Sequence, residues 1–396
     1  MPASNMLEVF RCDQASLSRL IEAMDFSRLL SWASFVVKRR QQISAERGGG
    51  HAIFCVLQNK TLYGEFVLNI YRTGCPVVEG RKIPLVYVII LNYCSYEDSV
   101  ACIESARRIS YSNVRILVLD NASSDGSGDA LKNILVSEEY IQLDKNLGYA
   151  GGNNYGISYA LKKGAEYIFI VNPDVRLSQS SISDYLSVFE GDDAVGAVGP
   201  VQLGRGSDKI DKKFEMGVFN RHGLDLPPLP LERGQLWEVD VLYGAALFVP
   251  SSTFRRVGGF DPLFFAYGEE EDFCSRVKRH GLKLLVTSNS PVVHLRTKEA
   301  DRVSDTVLFL RLKGIMLFNL KTSMAPFLGA FLQVVGRLGR QLLLPDRSIY
   351  PYNLYPVGRL HTLRAIVWLV GNAWGVRRNV RREAAKVRGL YLETDG

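Results

Sequence analysis

The chain has no apolar run near the roughly 20 residues that a membrane-spanning helix requires. Its longest apolar stretches, 325–336 and 365–376, hold 12 residues each, so no transmembrane helix is expected. Cysteine is scarce: Cys12, Cys55, Cys75, Cys94, Cys102 and Cys274 are scattered, with no paired spacing and no secretory leader ahead of them. That argues against a disulfide framework and for free thiols in a reducing cytoplasm. Zinc-ligand spacing, RNA-binding motifs and internal repeats are also absent, so no nucleic-acid partner is expected.

Acidic charge is short in one region only. Residues 297–396 hold 16 Lys+Arg against 7 Asp+Glu, whereas the rest of the chain holds 32 against 34. A basic tail on a near-neutral body reads as a peripheral surface for anionic lipid. Within it Arg377, Arg378, Arg381, Arg382, Lys386 and Arg388 lie beside Ile366, Val367, Trp368, Leu369 and Trp374, the composition of an interfacial helix. A helical cap packed on the main domain, or a homo-oligomer contact, fits the same composition.

What is present suits an ordinary globular protein, with 47% hydrophobic and 22% charged residues in 396, enough for one main domain with appendages. Three regions are expected. Residues 1–82 carry a helical pattern around 17–40, a break at Gly48-Gly49-Gly50 and no recognisable chemistry. Residues 83–300 alternate apolar runs with amphipathic segments: strands at 85–91, 114–119, 140–143 and 167–171, helices at 97–109, 130–136 and 153–163. That alternation predicts an α/β fold with a parallel sheet covered on both faces. Extended segments at 195–198 and 239–249 and a helix at 269–280 follow, and 301–396 reads as mainly helical, interrupted by a Pro- and Tyr-rich stretch at 345–356.

Three clusters fall where predicted strands end, the place where open parallel sheets bind ligands. Asp120, with Asn121 and Asp125, follows the apolar run 114–119; its carboxylate suits the imide N–H of a uracil or thymine ring, and an Asx-turn capping the next helix fits equally. The glycine-rich stretch NLGYAGGNNYG, 146–156, permits close backbone approach, with Asn153 or Asn154 capping a helix whose positive end favours phosphate. Val171-Asn172-Pro173-Asp174 runs a strand into a carboxylate of the kind that Mg²⁺ or Mn²⁺ accepts beside phosphate and water, although the same residues also make a turn.

The fourth cluster is Gly268-Glu269-Glu270-Glu271-Asp272 with Arg276, preceded by Gly258-Gly259-Phe260-Asp261 and an aromatic loop. Four carboxylates opening a helix complement its dipole; burial behind aromatic residues would instead raise a carboxyl pKa into general-base range. On a helix Glu269, Asp272 and Arg276 share a face, leaving Glu270 freer to act. His294 closes the apolar Pro291-Val292-Val293, where both a packed histidine and a metal ligand fit.

In this order the clusters resemble the inverting family-2 glycosyltransferases of GT-A fold, in the rhamnosyltransferase-like branch that builds bacterial surface polysaccharides. The matching stretches are VYVIILNY, DNASSDGS, NLGYAGGNNYG, VNPDV, YGAALFVP, GGFDPLFFAYGEEEDFCSR and VVHL, within about residues 85–320. The resemblance implies a Rossmann-like nucleotide-diphospho-sugar transferase domain with a mainly helical C-terminal extension. It implies that Asp120 binds the base, and that Asn121, Asp125, Asn146, Gly148, Gly151, Asn154, Gly244 and Ala245 line the nucleotide-sugar pocket. Asp174 and His294 would hold a divalent cation, Mg²⁺ or Mn²⁺. Glu270 matches the base, with Glu269 and Asp272 beside it.

The sequence departs from the family pattern at two positions. Asn172 stands where many relatives have an acidic residue, leaving Asp174 as a single carboxylate. Glu270 stands where Asp is usual, which moves the carboxylate by about 1.5 Å. The implied partners are a nucleotide-diphosphate sugar and a saccharide or polyprenyl-diphosphate-linked acceptor, met at the cytoplasmic face of the inner membrane. The stretch 146–156 suggests rhamnose, while galactofuranose, glucose and other hexoses also fit. A catalytically weak sugar-nucleotide-binding or scaffold protein is the alternative. A sugar nucleotidyltransferase fits poorly, because no Gly-rich, basic phosphate loop follows 85–91.

Overall fold

The computed structural model describes residues 53–59, 66–72, 83–296, 304–323, 326–343, 359–385 and 389–392. Contacts divide the chain into two units, meeting in sequence between Lys82 and Ile83. In the first, β1 (Ile53–Asn59) and β2 (Phe66–Arg72) pair antiparallel. The helical pattern around 17–40 lies outside the described residues, as does the stretch at 345–356.

The second unit is built on a nine-stranded sheet. Its first half is parallel: β3 (Val86–Asn92), β4 (Val114–Asp120), β5 (Tyr140–Gln142) and β6 (Tyr167–Val171) lie in the order β5-β4-β3-β6. Helices α1 (Tyr96–Arg107), α2 (Ser127–Ile134) and α3 (Gly148–Lys162) connect them. The second half takes the strands β7 (Val175–Arg176), β8 (Val195–Leu203), β9 (Leu236–Glu238), β10 (Ala246–Pro250) and β11 (Lys283–His294). Here β10 inserts antiparallel between β6 and β8, so the sheet is mixed rather than parallel throughout. The extended segment expected at 239–249 is therefore a strand only from Ala246. Helices α4 (Ser181–Val188), α5 (Ser251–Val257) and α6 (Glu269–Arg279) complete this half.

The central strands are apolar on both faces because both are covered. Tyr87, Ile89, Leu117 and Leu119 join one core with α3, α5 and α6, whereas Val86, Val88, Ile90 and Val118 join the other with α1 and α2. Helix α3 starts at Gly148, five residues earlier than expected. Glycine is a poor helix former, but here it gains by contact: a Cβ at Gly152 or Gly156 would fall 2.7–2.9 Å from Leu91, Leu119 or Ile89. The glycines let this helix lie directly on the sheet.

Beyond the sheet, α7 (Asp305–Thr322), α8 (Phe327–Leu343) and α9 (Arg359–Ala384) form a third apolar cluster around Leu317, Leu338 and Leu369. Phe264, from the loop before α6, is buried within it. Among the described residues no helix is long and apolar enough to cross a membrane. Cys94 is exposed, Cys102 and Cys274 are buried, and all three are free.

Candidate active site

The site begins where β3 and β4 end side by side, with Asn92 paired to Asp120. Asp120 is fully buried. Its carboxylate accepts from Asn92 Nδ2 at 2.7 Å, Ser123 Oγ at 2.6 Å, Ser123 N at 2.9 Å and Gln142 Nε2 at 2.7 Å. Burial works to raise its pKa, but these hydrogen bonds outweigh it and hold Asp120 below the usual carboxylate value. Reading a base with this carboxylate requires one of those bonds to exchange. Asp125, by contrast, accepts from Ser127 N at 3.0 Å and opens α2. Asn92, which the sequence did not single out, organises this corner: it also accepts from Ser99 Oγ at 2.8 Å.

Asn121 and Asn146 lace the neighbouring loop to the start of α3. Asn121 donates to Asn146 Oδ1 (3.0 Å) and to the Gly148 carbonyl (3.1 Å), and accepts from Leu147 N at 2.9 Å. Gly148 N donates to Asn146 Oδ1 (2.8 Å), and Ala150 N to the Phe265 carbonyl (3.1 Å). These amides are spent inside the protein, and Asn153 lies within the helix instead of capping it. The expected phosphate-binding first turn near Asn153 is corrected accordingly. Asn154 is also redirected: it donates to the Phe260 carbonyl at 2.7 Å and accepts from Phe260 N at 2.8 Å, tying α3 to the loop before α6. Gly151 packs against Leu147 rather than against open space.

Gly244 and Ala245, at the head of β10, join the remaining pieces. Gly244 N donates to Glu270 Oε1 at 3.2 Å, and its carbonyl accepts from Tyr149 OH at 2.8 Å. A Cβ at Gly244 would lie 2.5 Å from Tyr149 OH and 2.8 Å from Glu270 Oε1, so any larger residue there would displace both side chains. The Ala245 carbonyl accepts from Asn172 N at 2.9 Å. Two adjacent residues thus hold the Asn172-Pro173-Asp174 loop and the α6 carboxylates against one strand end.

Asp174 meets His294, with Oδ2 3.1 Å from Nε2. The other ring nitrogen, Nδ1, lies 3.0 Å from Gln202 Oε1, which fixes the ring. Burial works upward on Asp174, but the hydrogen bond and charge of His294 bring its pKa below the usual range. Among the described residues no group of three or more His, Cys, Asp or Glu converges. A carboxylate and an imidazole fit a cation that takes its other ligands from diphosphate and water.

The α6 carboxylates divide into two environments. Glu270 is raised to about 7 by burial and by the negative charge of Glu271. Glu269 is raised well above the usual value by burial and by Glu270, and its Oε2 has no hydrogen-bond partner among the described residues. Lys313 of α7 stands near it, its ammonium 5.8 Å from the Phe265 ring centroid and 5.0 Å from that of Trp368. Burial lowers Lys313 to about 8, against the pull of Glu269.

Asp272 faces elsewhere, which corrects its expected place beside the base. It pairs with Arg276 Nε at 2.9 Å and Lys321 Nζ at 2.8 Å. Lys321 also meets Asp261 at 2.6 Å and Glu383 at 2.5 Å, all nearly inaccessible to solvent. Tyr391 OH donates to Glu383 at 2.7 Å, and Asn379 to Asp261 at 3.0 Å. Burial works upward on Asp272, but Lys321 and Arg276 hold it below the usual value. Arg276 also donates to the Val257 and Gly259 carbonyls, bracing the loop ahead of α6 rather than orienting Glu269. Lys321, Glu383 and Tyr391 lie too far along the chain from Asp272 for any local pattern to connect them.

The mixed sheet, with its parallel half and its candidate site at the strand ends, has the layout of the GT-A glycosyltransferase fold. Residues 87–237 match the model described as glycosyl transferase family 2, and the curated relatives that this chain resembles include several rhamnosyltransferases. The hexosyltransferase Agl10 of low-salt glycan biosynthesis in Haloferax volcanii is 29% identical over 220 residues, covering 54% of this chain and 68% of the relative. An N-acetylglucosaminyl-diphospho-decaprenol L-rhamnosyltransferase of Mycobacterium tuberculosis is 25% identical over 231 residues, 52% of this chain and 74% of its own. Rhamnosyltransferase WbbL of Escherichia coli K12 is 24% identical over 220 residues, 50% and 79% respectively. Among solved structures, mannosyltransferase PcManGT from Pyrobaculum calidifontis, in complex with GDP-Man and Mn²⁺, aligns with TM-score 0.45 and 15% identity over 77% of this chain and 86% of that one. That likeness is too loose to assign a ligand here.

Proposed function

We propose that this glycosyltransferase moves a hexose, with rhamnose the first candidate, from a nucleoside-diphosphate donor to a saccharide or a polyprenyl-diphosphate-linked saccharide, inverting the anomeric carbon. The observation that carries the reading is Glu270: a half-buried carboxylate with its pKa pushed up to about 7, held by Gly244 N beside the strand end that also carries the Asp174 loop. The names of the relatives support a hexose, and one of them a lipid-diphosphate acceptor.

In the reaction, Glu270 takes the proton of the acceptor hydroxyl as its oxygen bonds to the anomeric carbon. The bond from that carbon to the diphosphate oxygen breaks on the opposite face, and the nucleoside diphosphate leaves with the bonding pair. Proton acceptance at a pKa near the working pH suits general-base catalysis. Asp174 and His294 are the residues that would hold a divalent cation, whose chemistry there is to offset charge growing on the departing diphosphate. Gln202 keeps the His294 ring turned toward Asp174. The enzyme would work on its lipid-linked acceptor as a peripheral protein at the cytoplasmic membrane face.

The test is a panel of nucleotide sugars with Mn²⁺ and a saccharide acceptor, the product read by NMR. Transfer from a dTDP- or UDP-hexose with inverted configuration is expected. A product of retained configuration would overturn the mechanism, and donor binding without turnover in the wild type would favour a scaffold.

A further inference from the structure

Helix α9 buries one side and leaves the other bare in an ordered way. Ala365, Leu369 and Val376 lie in the apolar cluster with α7 and α8, while Asn379 and Glu383 reach the buried ionic cluster. Those contacts fix the rotation of the helix. On the opposite side Leu360, Leu363, Val367, Val370 and Trp374 are all exposed, from 50% at Leu363 to 72% at Trp374. At 100° per residue these five fall within an arc of about 80°, over a length of about 21 Å.

Charge continues the same arc. Arg381 falls within it, two turns beyond Trp374, and Arg377 about 20° outside its edge, one turn beyond Trp374; both are exposed. The Arg378 guanidinium stands 5.1 Å from the Trp374 ring centroid. The only acidic residue of α9 is Glu383, buried on the far side. A solvated helix face has no reason to collect five large apolar side chains, and a protein-binding face with no acid beside its arginines selects an anionic partner.

We propose that this face of α9 docks on an anionic lipid surface. The helix lies flat, its apolar stripe sinks to the boundary of headgroups and acyl chains, and Arg377 and Arg381 meet lipid phosphates. The geometry stands alone, but its purpose rests on the lipid-linked acceptor of the proposed function: docking brings the Glu270 site to a membrane-held substrate.

The experiment uses the full chain and sedimentation with two kinds of vesicle, phosphatidylcholine alone and phosphatidylcholine mixed with phosphatidylglycerol. Wild type is expected to bind the mixed vesicles and to lose binding as salt rises. The double variant Val367→Glu, Trp374→Glu should lose roughly tenfold or more in binding, with unchanged far-UV circular dichroism and unchanged transfer to a water-soluble acceptor. Arg377→Glu with Arg381→Glu should abolish the preference for phosphatidylglycerol. The proposal is overturned if the apolar double variant binds like wild type. It is equally overturned if wild type ignores vesicles and instead forms a dimer that the same variant dissociates. Vesicle binding without sugar transfer from any donor would leave docking in place and remove the functional reading.

Discussion

Glu270 and Asp272 lie two positions apart on one helix turn, yet the protein treats them oppositely. Glu270 faces a site where burial and a neighbouring carboxylate push its pKa to about 7. Asp272 faces a sealed cluster where Lys321 and Arg276 pull its pKa down. Burial works upward on both, so burial alone decides neither. What differs is the company: one side of α6 meets other carboxylates and a backbone amide, the other meets two cations. Titratable groups driven apart in this way mark the division between a reacting group and a structural one. The division also explains why four consecutive acids tolerate one another: Arg276 and Lys321 absorb one of them, Arg221 pairs with Glu271 at 2.7 Å, and two are left strained.

The largest effect expected from breaking this contrast is at the base. Glu270→Gln should lower kcat by roughly 10²–10⁴ while donor binding, followed by calorimetry, stays within a few-fold. Loss of donor affinity in step with rate would instead make Glu270 a binding residue.

The anchored side should show in stability. Lys321→Met removes the cation that meets all three of Asp261, Asp272 and Glu383, and is expected to cost about 3–5 kcal/mol in urea unfolding. A smaller cost would mean that water reaches the cluster.

The reactive side carries the opposite sign. Because the pKa of Glu270 is raised above its unfolded value, the folded state holds this proton more tightly, and stability from Glu270 is lost as pH rises from 4.5 through about 7. The same Glu270→Gln variant that is expected to slow transfer should therefore stabilise the protein above pH 7, by up to about 3 kcal/mol, an advantage that shrinks toward pH 4.5. Asp272, with a lowered pKa, contributes stability above its unfolded value that is lost as pH falls through its folded one. Urea titrations of both proteins at several pH values would separate the two trends.

The smallest effect is expected at Gln202, which touches neither donor nor acceptor in the proposed mechanism. Gln202→Leu should weaken Mn²⁺ binding roughly 10–100-fold, read by titration calorimetry. Unchanged affinity would part His294 from the metal.

Much of the reactive side was legible in sequence, because it is written locally. Asp120 and Asp174 end apolar runs, and Glu270 opens a helix after an aromatic loop; strand ends and helix starts are short-range signals. The anchored side was not legible, since Lys321, Glu383 and Tyr391 reach Asp261 and Asp272 from distant elements with no shared period. Within NLGYAGGNNYG the glycines were visible and their purpose was not: small residues suit a ligand and a close-packed sheet alike, and Leu91, Leu119 and Ile89 decide for the sheet at Gly152 and Gly156. The antiparallel β10 was hidden for a related reason. A buried strand reads the same in either direction.

The brace on the loop before α6 has a consequence in time. Gly259 N donates to the Leu390 carbonyl, and Tyr391 OH reaches Asp261 across 130 residues of chain. At translation rates of roughly 5–20 residues per second, the base-bearing helix leaves the ribosome on the order of ten seconds before the segment that secures it. During that interval a nascent chain carries its sheet and its carboxylates with the ionic cluster unfilled, so the loop ahead of α6 is braced only once residues 389–392 have emerged and docked.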